Sequence, residues 1–217
     1  NPFMTNLMGV RYLETAKDNI PAGYEILFES GNAVVAENKQ VLPIVYFTGD
    51  TISQEEYDTL GPYEKLDALT RYTIVDGAGS STPFCSTMES WEPDLKLSDL
   101  PEGLSVEKTS AGYEIHAEQN CTVTAEIRNP VPGKIVLLEF QVDSLTSRSV
   151  VIDINGIRNK LSNRFAPYPN GNNCFHYQFS PKDGGSVTRL EISLPKGRYI
   201  LSGFTWHLYD QKFLQEK

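Results

Sequence analysis

Short runs in which apolar and polar residues alternate fill most of this chain, and a period of two predicts β-strands. Residues 9–13, 24–28, 33–36 and 42–47 form a first group of such runs. Ser30-Gly31-Asn32 separates the second from the third, so these two are expected to pair as a hairpin. Pro43 confines the fourth to a strand start or a sheet edge, because proline cannot donate to a ladder.

Helical spacing then takes over. Ser53 with Glu56 three residues later is a capping-box pair, which makes Ser53 the expected N-cap. Gly61 ends that helix, and Pro62 suits the first turn of another. Leu66, Leu69 and Ile74, flanked by Tyr63 and Tyr72, supply its apolar stripe. Asp58, Glu64 and Asp67 are then expected on the solvated face.

From residue 104 only β patterning remains, over residues 104–108, 112–117, 121–127, 134–142, 149–154, 174–179, 187–194 and 198–209. Asn155-Gly156 is a two-residue hairpin turn. Many short strands with turns and no helix between them imply an antiparallel sandwich or jelly roll. The expected fold is mainly β, α+β overall. It has a C-terminal antiparallel β-sandwich or jelly roll over residues 104–217 and a small strand-plus-helix segment over residues 1–75. Residues 76–103, rich in Gly, Ser, Pro and Thr, read as a linker or wrapping loop that Trp91 anchors to the core.

Composition narrows the class. The 217 residues, 40% hydrophobic and 22% charged, suit one large or two small globular domains. No run approaches the ~18 apolar residues of a membrane span, and no signal peptide is visible. The opening Asn1-Pro2 reads as a piece excised from a longer protein. The net charge of −9 is uneven: residues 1–127 hold 7 Lys/Arg against 21 Asp/Glu, and residues 128–198 hold 10 against 5. That balance argues against nucleic acid as a partner, which usually needs a basic domain. It leaves room for an anionic ligand on the second half.

Signals for chemistry are sparse. Cys85, Cys121 and Cys174 lack CxxC or zinc-type spacing, and two readings stay open: buried thiols, or one disulfide beside a free thiol. His116, His176 and His207 lie far apart and outside HExxH. There is no GxSxG elbow, Walker loop or GxGxxG. No catalytic residue, metal ligand or cofactor is expected. Residues 158–176 stand out instead. Arg158, Lys160 and Arg164 carry donors for phosphate. Phe165 and Tyr168 can stack on a sugar ring, and Asn170, Asn172 and Asn173 can hydrogen-bond its hydroxyls. The alternative is a long connection that packs its own aromatics on the sheet.

Three phrases in the first third carry a family resemblance. They are Asn6-Leu-Met-Gly-Val-Arg-Tyr-Leu13, then Asn38-Lys-Gln-Val-Leu-Pro-Ile-Val-Tyr-Phe47, then the acidic helical stretch from Ser53 to Leu69. In this order they resemble the extracytoplasmic C-terminal region of the YfhO family, multi-pass bacterial membrane proteins related to lipid-linked-sugar glycosyltransferases. The family runs NLLGVKYVI, then a Tyr-containing strand, ENKNALPRAF and an acidic helix. Ile44 stands where the family often has Arg. The likeness is looser over residues 104–210, ending at Gly197-Arg-Tyr-Ile-Leu-Ser-Gly-Phe204.

The resemblance implies a non-catalytic extracytoplasmic domain of a membrane glycosyltransferase, on the outer face of the bacterial cell membrane. Its partners would be the membrane-embedded remainder of the same chain and an anionic cell-envelope glycopolymer, such as lipoteichoic acid, or a polyprenyl-phosphate sugar. A stand-alone carbohydrate-binding β-sandwich module, or a structural or protein-interaction domain, is the alternative expectation.

Overall fold

The computed structural model describes residues 2–21, 23–39, 41–43, 49–77, 82–181 and 185–210. Most of the strand expected over residues 42–47, Ile44 included, lies outside them. The described chain divides into two compact units. One holds the residues up to Glu89 together with Ser180, Pro181, Tyr209 and Asp210; the other holds Ser90–Phe179 and Gly185–Leu208.

The first unit contains α1 (Pro2–Leu7), β1 (Tyr12–Ala16), β2 (Glu25–Ser30), β3 (Ala33–Glu37), β4 (Asp50–Ser53), α2 (Gln54–Thr59), α3 (Pro62–Arg71) and β5 (Tyr72–Val75). The expected hairpin forms from β2 and β3, and β1 adds to the other side of β3. The first and second phrases meet here: Asn38 Nδ2 donates to Asn6 Oδ1 at 2.9 Å, with both residues buried. Strands β4 and β5 pair in parallel, with α2 and α3 as the crossover, over a small core of Ile52, Ala68 and Tyr72. Ser53 caps α2, accepting from Glu56 N at 3.1 Å. The capping box is only half made, because Glu56 Oε1 accepts instead from Phe84 N at 2.9 Å. One expectation is overturned: Asp67 is fully buried, not solvated.

The two-residue β6 (Glu89–Ser90) leads into the sandwich. Its strands are β7 (Leu95–Leu97), β8 (Leu104–Thr109), β9 (Gly112–Ala117), β10 (Cys121–Ile127), β11 (Lys134–Ser144), β12 (Val150–Ile154), β13 (Ile157–Leu161), β14 (Cys174–Phe179), β15 (Arg189–Leu194) and β16 (Gly197–Asp210). One sheet runs β13-β12-β15-β10-β7 and the other β14-β11-β16-β9-β8. The protein is thus mainly β, with antiparallel sheets forming the sandwich. Part of the expected 76–103 linker is strand, since β7 pairs with β10.

Alternation explains the packing. Val123, Ile127, Ile152 and Leu190 face Leu138, Phe140, Tyr177 and Tyr199 in one apolar core. Full burial of each such side chain stabilises by about 1.5–3 kcal/mol. Tyr177 stacks on Phe140 at 5.6 Å and on Phe179 at 6.2 Å, and its hydroxyl donates across the core to Ile152 O at 3.0 Å. Asn155 (φ 52°) and Gly156 (φ 81°) make the expected hairpin between β12 and β13. In β16 the core-facing positions change parity, from Tyr199 and Leu201 to Trp206 and Leu208. Gly203 (φ 62°) lies between and absorbs the extra residue.

Candidate functional site

The segment singled out in the sequence divides in two. Residues 157–161 are β13, where Arg158 and Lys160 point to solvent between half-buried Ile157, Asn159 and Leu161. Residues 162–173 form a loop that folds on its own side chains. Asn170 Oδ1 accepts from Ser162 N at 2.9 Å and from Asn172 N at 3.2 Å. Asn170 Nδ2 donates to Lys160 O at 2.7 Å, and Asn172 Nδ2 to the same oxygen at 3.3 Å. Asn163 Oδ1 accepts from Phe165 N at 2.7 Å, and Asn163 N donates to Ser149 Oγ at 3.0 Å. Asn170 and Asn172 therefore shape the loop rather than standing ready for a ligand.

What this loop displays is aromatic. Tyr168 is 91% exposed and Phe165 69% exposed, and the Arg164 guanidinium lies 4.8 Å from the Phe165 ring centroid. The bland expectation, that these rings pack on the sheet, does not hold. Burying each would gain about 1.5–3 kcal/mol, yet the loop holds them in water.

A second feature is concave. Ser90, Trp91, Glu92, Pro93, Leu95, Phe204, Thr205, Trp206 and His207 line an open cleft of about 680 Å³. Trp91 N donates to Trp206 O at 3.0 Å, and the two indoles meet edge to face at 6.1 Å. Both also pack against the sandwich core, so Trp91 anchors its segment as expected. Phe204, 40% exposed, stacks on Phe140 at 5.1 Å and lines the cleft.

Cations gather elsewhere. Arg148, Lys196 and Arg198, with His116 and Glu118, surround a shallow recess of about 490 Å³. Arg198 Nη2 is already paired with Glu114 at 2.5 Å, and lies on the sheet that does not contain Arg158 and Lys160.

No family model matches the chain, and no curated protein matches it. Solved structures do align with it. They include TmCBM61 in complex with beta-1,4-galactotriose, with 9% identity and a TM-score of 0.29 over 52% of this chain and 87% of that one. The CBM22-1 xylan-binding domain from Paenibacillus barcinonensis Xyn10C aligns with 12% identity and a TM-score of 0.31 over 57% and 86%. A Family 29 Carbohydrate Binding Module from Piromyces equi aligns with 12% identity and a TM-score of 0.30 over 56% and 89%.

The three cysteines are free, Cys85 exposed and the others half-buried, so neither a disulfide nor a set of fully buried thiols is found. Cys174 belongs to a constellation that linear spacing does not reveal. Glu139, Cys174 and His176 bring their donor atoms within 4.8 Å of one another. The only sequence hint is Cys174-Phe-His176, since residues i and i+2 of a strand share a face. Among the described residues, no helix is long and apolar enough to cross a membrane.

Proposed function

We propose that the sandwich unit binds carbohydrate, with Phe165 and Tyr168 as its stacking platform. The observation that carries this reading is the loop's internal hydrogen bonding, which holds two large rings in solvent on a rigid scaffold. Sugar rings present apolar C–H faces that stack on such aromatics, while polar neighbours fix their orientation. Arg164 over the Phe165 ring, with Arg158 and Lys160 exposed on the preceding strand β13, favours a glycan bearing phosphate or carboxylate groups. In the larger setting implied by the phrases at residues 6–69, the chain is a non-catalytic extracytoplasmic domain of a YfhO-like membrane glycosyltransferase. There it presents an envelope polymer to the membrane-embedded part.

The test is affinity electrophoresis through galactan, xylan and polyglycerol-phosphate lipoteichoic acid, at low and physiological salt. Retardation is expected, strongest and most salt-sensitive with the anionic polymer. The double variant Phe165→Ala/Tyr168→Ala should lose at least ~10-fold in affinity, about 1.4 kcal/mol. Free migration of the wild type in all three polymers, or unchanged retardation of the double variant, overturns the reading.

The cleft of about 680 Å³ favours a second reading, with the sugar seated on Trp91 and Trp206. These are the two tryptophans of the chain. A change in intrinsic tryptophan emission on adding glycan would therefore place the ligand in the cleft rather than on the loop.

A further inference from the structure

We propose that Glu139, Cys174 and His176 form a binding site for a zinc-class divalent cation on the outer face of the β11–β14 pair. This inference is independent of the carbohydrate reading. In the register, Glu139 stands opposite His176 and Gln141 opposite Cys174. Phe140, Phe175 and Tyr177 point the other way into the core, so the sheet's packing fixes the backbone under the site. His176 Nε2 lies 3.0 Å from Glu139 Oε2 and 3.6 Å from Cys174 Sγ. Zinc bonds of about 2.0–2.3 Å in a tetrahedron set neighbouring ligand atoms roughly 3.3–3.8 Å apart. The 3.6 Å separation falls inside that range and the 3.0 Å one about 0.3 Å short of it, so small side-chain movements would complete the geometry. Glu139 and His176 side chains remain 26% and 30% exposed, which gives an ion a way in.

The ligand types select the ion. A thiolate, an imidazole and a carboxylate on one centre suit zinc better than calcium or magnesium, which take oxygen ligands. Three protein ligands leave a fourth position for water.

The same trio could be read as a nucleophilic triad, but the geometry opposes it. A triad needs the nucleophile on one imidazole nitrogen and the carboxylate on the other. Here Cys174 and Glu139 both address Nε2. Burial, reinforced by Glu139, also pushes the Cys174 thiol up to about 11, so it is not a thiolate near neutral pH. An arriving cation would displace that proton itself, releasing it to solvent as the metal–sulfur bond forms.

The experiment uses the full chain, stripped with chelator and titrated with Co²⁺ as a spectroscopic stand-in for zinc. The expected result is a sulfur-to-cobalt charge-transfer band with intense visible d–d bands, saturating at one equivalent and bleached by Zn²⁺. Cys174→Ser should abolish the charge-transfer band, and Cys121→Ser should leave it unchanged. His176→Asn should weaken Co²⁺ binding by more than the roughly 10–100-fold that loss of an outer-shell partner costs. Absence of a thiolate band in the wild type with excess Co²⁺ overturns the site. A band that persists in Cys174→Ser overturns it as well.

Discussion

Asp67 and Arg71 stand one turn apart on α3 and meet through two hydrogen bonds, Nε to Oδ1 at 3.1 Å and Nη2 to Oδ2 at 2.8 Å. The Asp67 side chain is fully buried, whereas that of Arg71 is 25% exposed. The carboxylate also accepts from Thr87 N and Thr87 Oγ1, each at 3.0 Å. Arg71 in turn donates to Cys85 O at 2.5 Å and lies over the Tyr72 and Phe84 rings. The pair thus clamps the segment around residues 84–87 onto the helix. Asp67→Ala takes the counter-charge from a partly buried guanidinium and the acceptor from Thr87 N, and should destabilise the first unit by on the order of 3 kcal/mol. Denaturant midpoints check this; a loss below about 1 kcal/mol would show that water takes over the clamp.

The same residue shows where sequence reading stops. A polar position on a helical wheel reads as solvated unless its partner is recognised, and Arg71 four residues on was the available signal. Strands with clean alternation were legible to the residue: 112–117, 121–127 and 174–179 match β9, β10 and β14. Strand β13 was not, because Ile157-Arg-Asn-Lys-Leu161 is an edge strand whose polar majority resembles a loop. Exposure of Phe165 and Tyr168 was equally hidden. It depends on Asn170 and Asn172 turning inward to Lys160 O, and asparagines in a loop suit ligand and backbone alike. The Glu139–Cys174–His176 group is a product of strand register, and register is not written in linear spacing.

Tyr177 and Tyr199 predict alkaline sensitivity of the sandwich. Each is 1% exposed, and burial raises the pKa of both phenols well above the ordinary tyrosine value. A raised folded-state value means that stability is intact below about pH 10, where the unfolded tyrosines are still neutral. Above it the unfolded chain loses protons that the folded chain keeps. Each phenol then removes up to about 1.4 kcal/mol per pH unit, until its folded value is reached. Urea midpoints of the wild type should fall between pH 9 and 11, and Tyr199→Phe should fall less. Equal slopes for the two proteins would remove Tyr199 as a cause.

Gln178 faces the opposite way from Tyr177, across from Leu137 in the register. Its side-chain nitrogen and oxygen are both buried and find no partner among the described residues. An unsatisfied buried amide costs about 1–3 kcal/mol. Gln178→Met keeps the length while removing both polar atoms, and should stabilise the sandwich by about 1 kcal/mol, read as a raised denaturant midpoint at unchanged m-value. A lowered midpoint would mean that an ordered water satisfies the amide.

Asn170 offers the sharpest separation of loop shape from loop chemistry. Its side chain bridges Ser162 N, Asn172 N and Lys160 O, yet it is not itself one of the displayed rings. Asn170→Ala removes those bonds from an exposed loop, so global stability should change by less than about 1 kcal/mol. The loop should nevertheless lose its fixed presentation of Phe165 and Tyr168, and faster amide exchange over residues 162–173 would report it. Glycan affinity should then fall several-fold with both aromatics still in place, because ordering the loop is deferred to the binding step. Undiminished affinity alongside faster exchange would show that the rings bind without a preformed platform. Unchanged exchange would show that Asn172 and Asn163 suffice to hold the loop.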